Sequence, residues 1–350
     1  MARWLRSLRA APLVLLTRAR VAESLREPEA LFWMFVFPIL LSAALAVAFR
    51  EQPAEPVPVS VEAGAGAEAR RAALEASGRV LPRVAPREQA RQELRAGRVA
   101  LVVLDTDPPT YWFDPTRTES RVARLEVDQA LQRAAGRADA FRAAELEMTE
   151  RGSRYVDFLV PGLLGMNLMS TGIWAIGFSL VQQRIGKLLK LFVAAPMRRW
   201  QLLTAHIGAR LVFLALEVTA LVLFAFFLLD VPIAGSIAAL GLVSLIGAMS
   251  FVGLGLLLAA RPRTIEGVSG LINLATFPMW IFSGVFFSTE RFPDAMQPLI
   301  QALPLTALND ALRGVMLEAA PLSALAPELA VLVVWGVVSF AVGLKIFRWQ

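Results

Sequence analysis

The sequence predicts a mainly α membrane protein: a six-helix transmembrane bundle with an N-terminal amphipathic interfacial helix and an inserted α+β domain after the first span. Three observations predict it. The chain of 350 residues is 56% hydrophobic with a mean hydropathy of +0.57, too apolar for a soluble globule of ordinary composition. Six apolar windows of about 20 residues recur along it, the length at which a helix crosses a hydrocarbon core about 30 Å thick. Between the first two windows, the polar stretch 50–154 alternates strand-like and helix-like runs.

Residues 1–29 read as the interfacial helix. Arg3, Arg6 and Arg9 precede an apolar stretch as in a secretory leader, but Arg18, Arg20, Glu23, Arg26 and Glu27 interrupt it before an apolar core can form. Trp4, Leu5, Leu8, Leu15 and Leu16 recur instead at roughly helical spacing opposite the arginines, as in a helix lying along a bilayer surface. The spans follow at about 30–49, 156–181, 207–229, 235–260, 265–287 and 326–347. The first starts after the helix breaker Pro28 and stops at Arg50 and Glu51; the fifth holds Pro278 and Gly284, so it kinks or ends early.

In the insert, strands are expected at Val57 to Val61, Val99 to Leu104 and Thr110 to Phe113, and helices at 66–77, 86–96 and 118–148. The last helix carries an apolar stripe of Val122, Leu125, Val127 and Leu131 among charged residues. It continues toward the second span unless Gly136 or Gly152 breaks it.

Sidedness comes from basic residues in short flanks, which stay in the cytoplasm. With the N-terminus inside, the inner flanks hold Arg3 through Arg26, then Arg184, Lys187, Lys190, Arg198 and Arg199, then Arg261 and Arg263, then Lys345 and Arg348. The short outer flanks hold only Arg291 and Arg313. Both termini are therefore expected in the cytoplasm and 50–154 outside, because long loops translocate largely regardless of charge. The net charge of +6 is spread along these flanks rather than gathered into one stripe, so membrane lipid and not nucleic acid is the expected polyanion. The chain has no cysteine, which excludes disulfides, thiolate metal sites and cysteine nucleophiles.

No catalytic constellation is present. Gly186-Lys187 lacks both the upstream glycine and the following Ser or Thr of a phosphate-binding loop, His206 is the only histidine, and no HExxH or nucleophile elbow occurs. No catalytic residue, metal or cofactor is expected on this chain. Ionisable residues inside spans are functional candidates because lipid penalises them. Glu217 stands out, seven residues and two helical turns beyond Arg210 on one face. A neutralised packing pair and a direct transport role both fit. Asn167 and Asn273 are milder polar cases for which packing hydrogen bonds suffice. Glycines at 162, 165, 172 and 177, and at 247, 253 and 255, allow close helix approach. Segment 182–206 sets Ile185, Leu188, Leu189 and Phe192 opposite Arg184, Lys187 and Lys190, then adds Pro196 and Arg198-Arg199.

Taken together, this pattern resembles the type-2 ABC transporter permease family in its six-span form with a large extracytoplasmic domain. An amphipathic helix before the first span, a loop matching R/E-x-x-G-x-(L)…P at Arg184, Gly186, Leu188 and Pro196, and a P…LP-hydrophobic-T/Y…D-x-x-R run at Pro293, Leu303, Pro304, Leu305, Thr306, Asp310 and Arg313 carry the resemblance. The outer insert adds its V-A-L-V-V-L strand and the segment from Tyr111 to Gly136. Where many members have an acidic residue before the loop glycine, this chain has Gln182 and Gln183.

The resemblance implies that Arg184, Gly186, Lys187, Leu188, Lys190, Phe192 and Pro196 form a coupling helix docked on a separate ABC ATP-binding subunit, which holds the ATP and Mg. It implies a homodimer or a pairing with a paralogous permease in a bacterial plasma membrane, with export of a hydrophobic or amphipathic substrate. Residues 288–325 are then outer helices capping the path, built around Pro304, Thr306, Asp310 and Arg313. A membrane-anchored sensor or mechanotransmission protein, and an ion-gradient transporter using Glu217, are the competing readings.

Overall fold

The computed structural model describes residues 17–18, 21–22, 25–48, 56–138, 141, 154–187 and 199–347, with side chains of the last stretch from 208 onward. It is mainly helical with one small sheet and divides into two compact units, Met1–Arg50 with Met148–Gln350, and Glu51–Glu147.

In the first unit, α1 comprises Pro28–Leu31, a π-helical stretch Phe32–Val36 and Phe37–Ala48. Pro28 opens it because a first-turn N–H has no helical acceptor to lose. Five further long helices follow: α5 Tyr155–Ile185, α6 Arg199–Leu228, α7 Ile237–Ala259, α8 Ile265–Phe282 and α11 Ala326–Ile346. All five are long and apolar enough to cross a bilayer, whereas the apolar part of α1, Phe32–Ala48, is shorter. Of the expected interfacial helix, Thr17, Arg18, Val21 and Ala22 are described and helical; the rest lies outside the described residues. Thr17 rests on α6, where a Cβ built on Gly208 would stand 3.0 Å from its Oγ1.

Helices α5 and α7 form the buried heart of this unit, and α6, α8 and α11 leave much of their apolar surface exposed. Glycine permits the central contacts. A Cβ on Gly255 of α7 would lie 2.9 Å from the Ile173 carbonyl oxygen of α5, and one on Gly253 would lie 2.8 Å from that of Gly336 on α11. The fifth window ends at Phe282, not 287, since Gly284 takes a left-handed φ of 68° that stops the helix. The third begins earlier than its apolar stretch, at Arg199. After α8 come the short α9 Gln297–Gln301 and the largely buried α10 Pro304–Met316.

The second unit is an α/β layer structure. Strands β1 Val57–Glu62, β2 Val80–Ala85, β3 Leu101–Leu104 and β4 Thr110–Phe113 form a sheet in the order β2-β1-β3-β4. β1 pairs in parallel with β2 and β3, and β4 antiparallel with β3. Helices α2 Ala67–Glu75 and α4 Thr118–Ala134 cover one face, over a core of Val59, Val61, Leu74, Leu101, Val103 and Val127. Helix α3 Arg87–Arg95 covers the other, where Ala90 meets Val99, Val102 and Leu104. On that second face Ser60 donates to the buried Glu93 carboxylate at 3.0 Å, and Gln89 donates to it at 3.2 Å.

Two expectations for the insert need correction. Strand β2 lies outside the three expected strands; it contains Pro82 and sits at the edge of the sheet, where a missing N–H is tolerated. The helix expected over 118–148 stops at Ala134, where Gly136 adopts φ 95° and turns the chain, so no continuous helix runs on to 148.

Candidate functional site

Three groups of polar side chains stand out in the helical unit. The first is at the end where α5 stops. Arg184 Nη1 donates to the carbonyl oxygens of Ala259, at 3.0 Å, and of Pro262, while Nη2 donates to Ala260 at 3.2 Å. Its guanidinium also lies 5.1 Å from the centre of the Phe347 ring. These carbonyls belong to the last turn of α7 and the turn into α8, where no helical N–H reaches them, and a cation satisfies them. Arg184 thus braces the base of α5 to the α7–α8 connection and to the residue after α11.

Gly186 caps α5 with φ −70°, ψ 2°, a conformation open to any residue. The left-handed position falls on Lys187, φ 57°, where a side chain costs roughly 1–2 kcal/mol. Lys187→Gly is therefore expected to raise stability by about 1 kcal/mol, and Gly186→Ala to be neutral or slightly stabilising. Thermal unfolding of both variants in detergent checks the pair, and the opposite ranking would contradict the assignment. Leu188, Lys190, Phe192, Pro196 and the side chain of His206 lie outside the described residues.

The second group is buried between α1, α5 and α6. Arg210 Nη1 donates to Glu217 Oε1 at 2.6 Å and Nη2 to Oε2 at 3.0 Å. Nη2 also donates to Thr171 Oγ1 at 2.5 Å, and the Thr171 hydroxyl reaches both Glu217 Oε2, at 3.1 Å, and the Asn167 carbonyl, at 2.8 Å. Asn167 Nδ2 donates to the Met34 carbonyl at 3.4 Å, inside the π-helical stretch of α1. The gap there, lined by Met34, Pro38, Asn167, Glu217 and Leu221 among others, has no room for a water molecule, so the charges depend on one another. The predicted Arg210–Glu217 face exists, Asn167 adjoins it through Thr171, and Asn273 does not. Asn273 is exposed on α8 with no hydrogen bond among the described residues, so the expectation of a packing hydrogen bond fails within one chain.

The third group closes the opposite end of the same helices. Arg313 of α10 donates from Nη2 to the Gly284 carbonyl and from Nε to the Phe158 carbonyl at 3.4 Å, with its guanidinium 3.8 Å from the Phe158 ring centre. Asp310 holds it loosely at 3.5 Å. Pro304 opens α10 at its first turn, and Thr306, two residues on in that turn, is buried. Arg154, just before α5, binds Asp157 in a charge pair at 2.9 Å and donates to the Leu229 and Asp230 carbonyls at 3.1 and 2.8 Å. Tyr155 adds a 2.6 Å bond to the Phe286 carbonyl.

Sequence reasoning passed over Thr171, Arg154 and the Phe158–Arg313 contact. Only Arg154 carried a signal, as a basic residue at a span boundary. The two ends of the unit therefore differ. Arg184, the 259–262 turn and Phe347 share one, and Arg154, Asp230, Gly284 and Arg313 share the other.

Comparison with known proteins fits this architecture. The family described as ABC-2 family transporter protein matches residues 28–345, from the first turn of α1 to the end of α11. The chain belongs to the ABC-2 transporter family. Among individual proteins, it is 29% identical over 168 residues to ABC transporter G family member 20 of Dictyostelium discoideum, covering 47% of this chain and 23% of that protein. It is 24% identical over 169 residues to the probable multidrug ABC transporter permease YbhR of Escherichia coli K12, covering 48% of this chain and 46% of the relative. The chain thus spans less than half the length of these curated relatives. ABC-2 membership accounts for the helical unit as the membrane component of such a transporter.

Proposed function

We propose that this chain is the permease subunit of an ATP-driven exporter, moving a hydrophobic or amphipathic substrate outward with a separate ATP-binding subunit, on which ATP and Mg reside. The ABC-2 match over nearly the whole helical unit carries the reading. The relative named as a probable multidrug permease supports the substrate class.

In this reading Arg184, Gly186, Lys187, Leu188, Lys190, Phe192 and Pro196 face the ATPase on the cytoplasmic side of a bacterial plasma membrane, and the insert lies outside. The bracing of Arg184 to α7, α8 and the residue after α11 supports a coupling role, since a push on the loop is delivered to three elements together. Pro304, Thr306, Asp310 and Arg313 belong to the outer cap. Pairing with a second copy or a paralogous permease is supported by Asn273, exposed in a span whose neighbours Leu274 and Phe277 are also exposed. An amide facing lipid is unfavourable, and a partner helix relieves it.

The test is co-expression with a candidate ABC ATP-binding subunit, purification, and reconstitution into liposomes. We expect a stable complex whose hydrolysis rises with a transported hydrophobic compound. Ligand binding without any associated ATPase would instead establish the sensor reading, and ATP-independent uptake driven by a proton gradient the carrier reading.

A further inference from the structure

We propose that the groove between α3 and β4 of the insert binds a soluble anionic amphiphile: a carboxylate, sulfonate or phosphate ester on an aromatic or apolar body. The groove has a volume of about 660 Å³, inside the range of small-molecule sites. One wall is the face of α3 formed by Arg87, Arg91 and Arg95, spaced by four residues and all exposed. The other is β4, an outer strand of the sheet, with half-buried Trp112 turned to the α3 face beside Leu94.

The arginines are costly where they stand. Like charges four residues apart on a helix oppose each other, and Arg91 and Arg95 make no ion pair among the described residues. Arg87 is partly held, 3.8 Å from Glu62 and with its guanidinium 5.1 Å from the Trp112 ring centre. Glu88 is the one acid in the lining, so the groove keeps an excess of positive charge.

Arg91 and Arg95 offer planar, paired donors to an anion. The ring of Trp112 and the side chain of Leu94 offer the apolar surface on which the body of the ligand lies. The same field repels cationic compounds. Tyr111 does not compete for the anion: burial, then the neighbouring Asp128, push its phenol up to about 12, and it donates to Asp128 at 3.1 Å.

The test uses the full chain in nanodiscs of zwitterionic lipid, titrated with 1-anilinonaphthalene-8-sulfonate, with no ATPase present, so its outcome is independent of the exporter reading. The difference in fluorescence between wild type and Arg91→Ala/Arg95→Ala removes the lipid background. Both arginines are exposed, so the variant is expected to fold, as circular dichroism will check. Saturable binding to wild type is expected, weakened about tenfold or more in the double variant, a loss of about 1.4 kcal/mol, and largely kept by Arg91→Lys/Arg95→Lys. Competition is expected from 1-naphthoate and not from 1-naphthylmethylamine or inorganic phosphate. Equal fluorescence in wild type and double variant, or equal competition by the cationic amine, would overturn the proposal. So would saturable binding only of an acidic peptide, which would make the edge of β4 a protein-docking strand.

Discussion

Glu217→Gln is expected to be the most destabilising single change in the helical unit. The carboxylate takes both terminal nitrogens of Arg210, at 2.6 and 3.0 Å, in a place with no room for water. Glutamine keeps the shape but leaves the guanidinium charged, buried and unpaired, which costs about 3–5 kcal/mol in comparable pairs. That is a large part of the typical stability of a folded chain. Replacing both residues, as Arg210→Met/Glu217→Leu, removes the charge with its partner and is expected to restore most of the loss, because the cost lies in stranding one ion rather than in losing attraction. The measurement is the unfolding midpoint in detergent with the yield of membrane-inserted protein. A Glu217→Gln protein that unfolds like wild type but no longer transports would move the pair from packing to transport. A restored but inactive double variant would say the same.

That pair was readable before the fold because charge inside an apolar window is conspicuous and a spacing of seven returns to the same helix face. Thr171 was not. Its hydroxyl bonds the Asn167 carbonyl one turn back, as a Thr in any helix can, and nothing local shows that the same hydroxyl also meets Arg210 and Glu217. Helix ends were legible where a residue must adopt a special conformation, as at Gly136 and Gly284, though the sequence alone left open which glycine is used. Strand β2, which contains Pro82, lay outside the expected strands, and position at the edge of a sheet is a property of the assembled fold. Arg184 is the clearest case of long-range information. It reads locally as one of three cations on a basic loop, whereas its acceptors lie 75, 76 and 78 residues further along the chain.

Arg184→Ala is accordingly expected to separate two effects that charge reversal would merge. Removing the side chain frees the carbonyls of Ala259, Ala260 and Pro262 at a helix end, where water can replace part of what is lost. The stability cost is then about 1.5–3 kcal/mol, that of hydrogen bonds to a charged donor. If the exporter reading holds, the larger effect is on coupling. The base of α5 would move without carrying the α7–α8 turn or the residue after α11. Substrate-stimulated hydrolysis is expected to fall about tenfold, within the usual range of coupling free energies, while basal hydrolysis by the bound ATPase stays near its wild-type rate. Arg184→Lys is expected to recover little, because a single ammonium cannot span three carbonyls and lie over the Phe347 ring together. Parallel assays of basal hydrolysis, stimulated hydrolysis and transport in liposomes give the decision. Loss of the ATPase from the purified complex would make Arg184 a docking residue, and full rescue by lysine would reduce it to a point charge. Loss of coupling with the complex intact is the outcome that a brace requires.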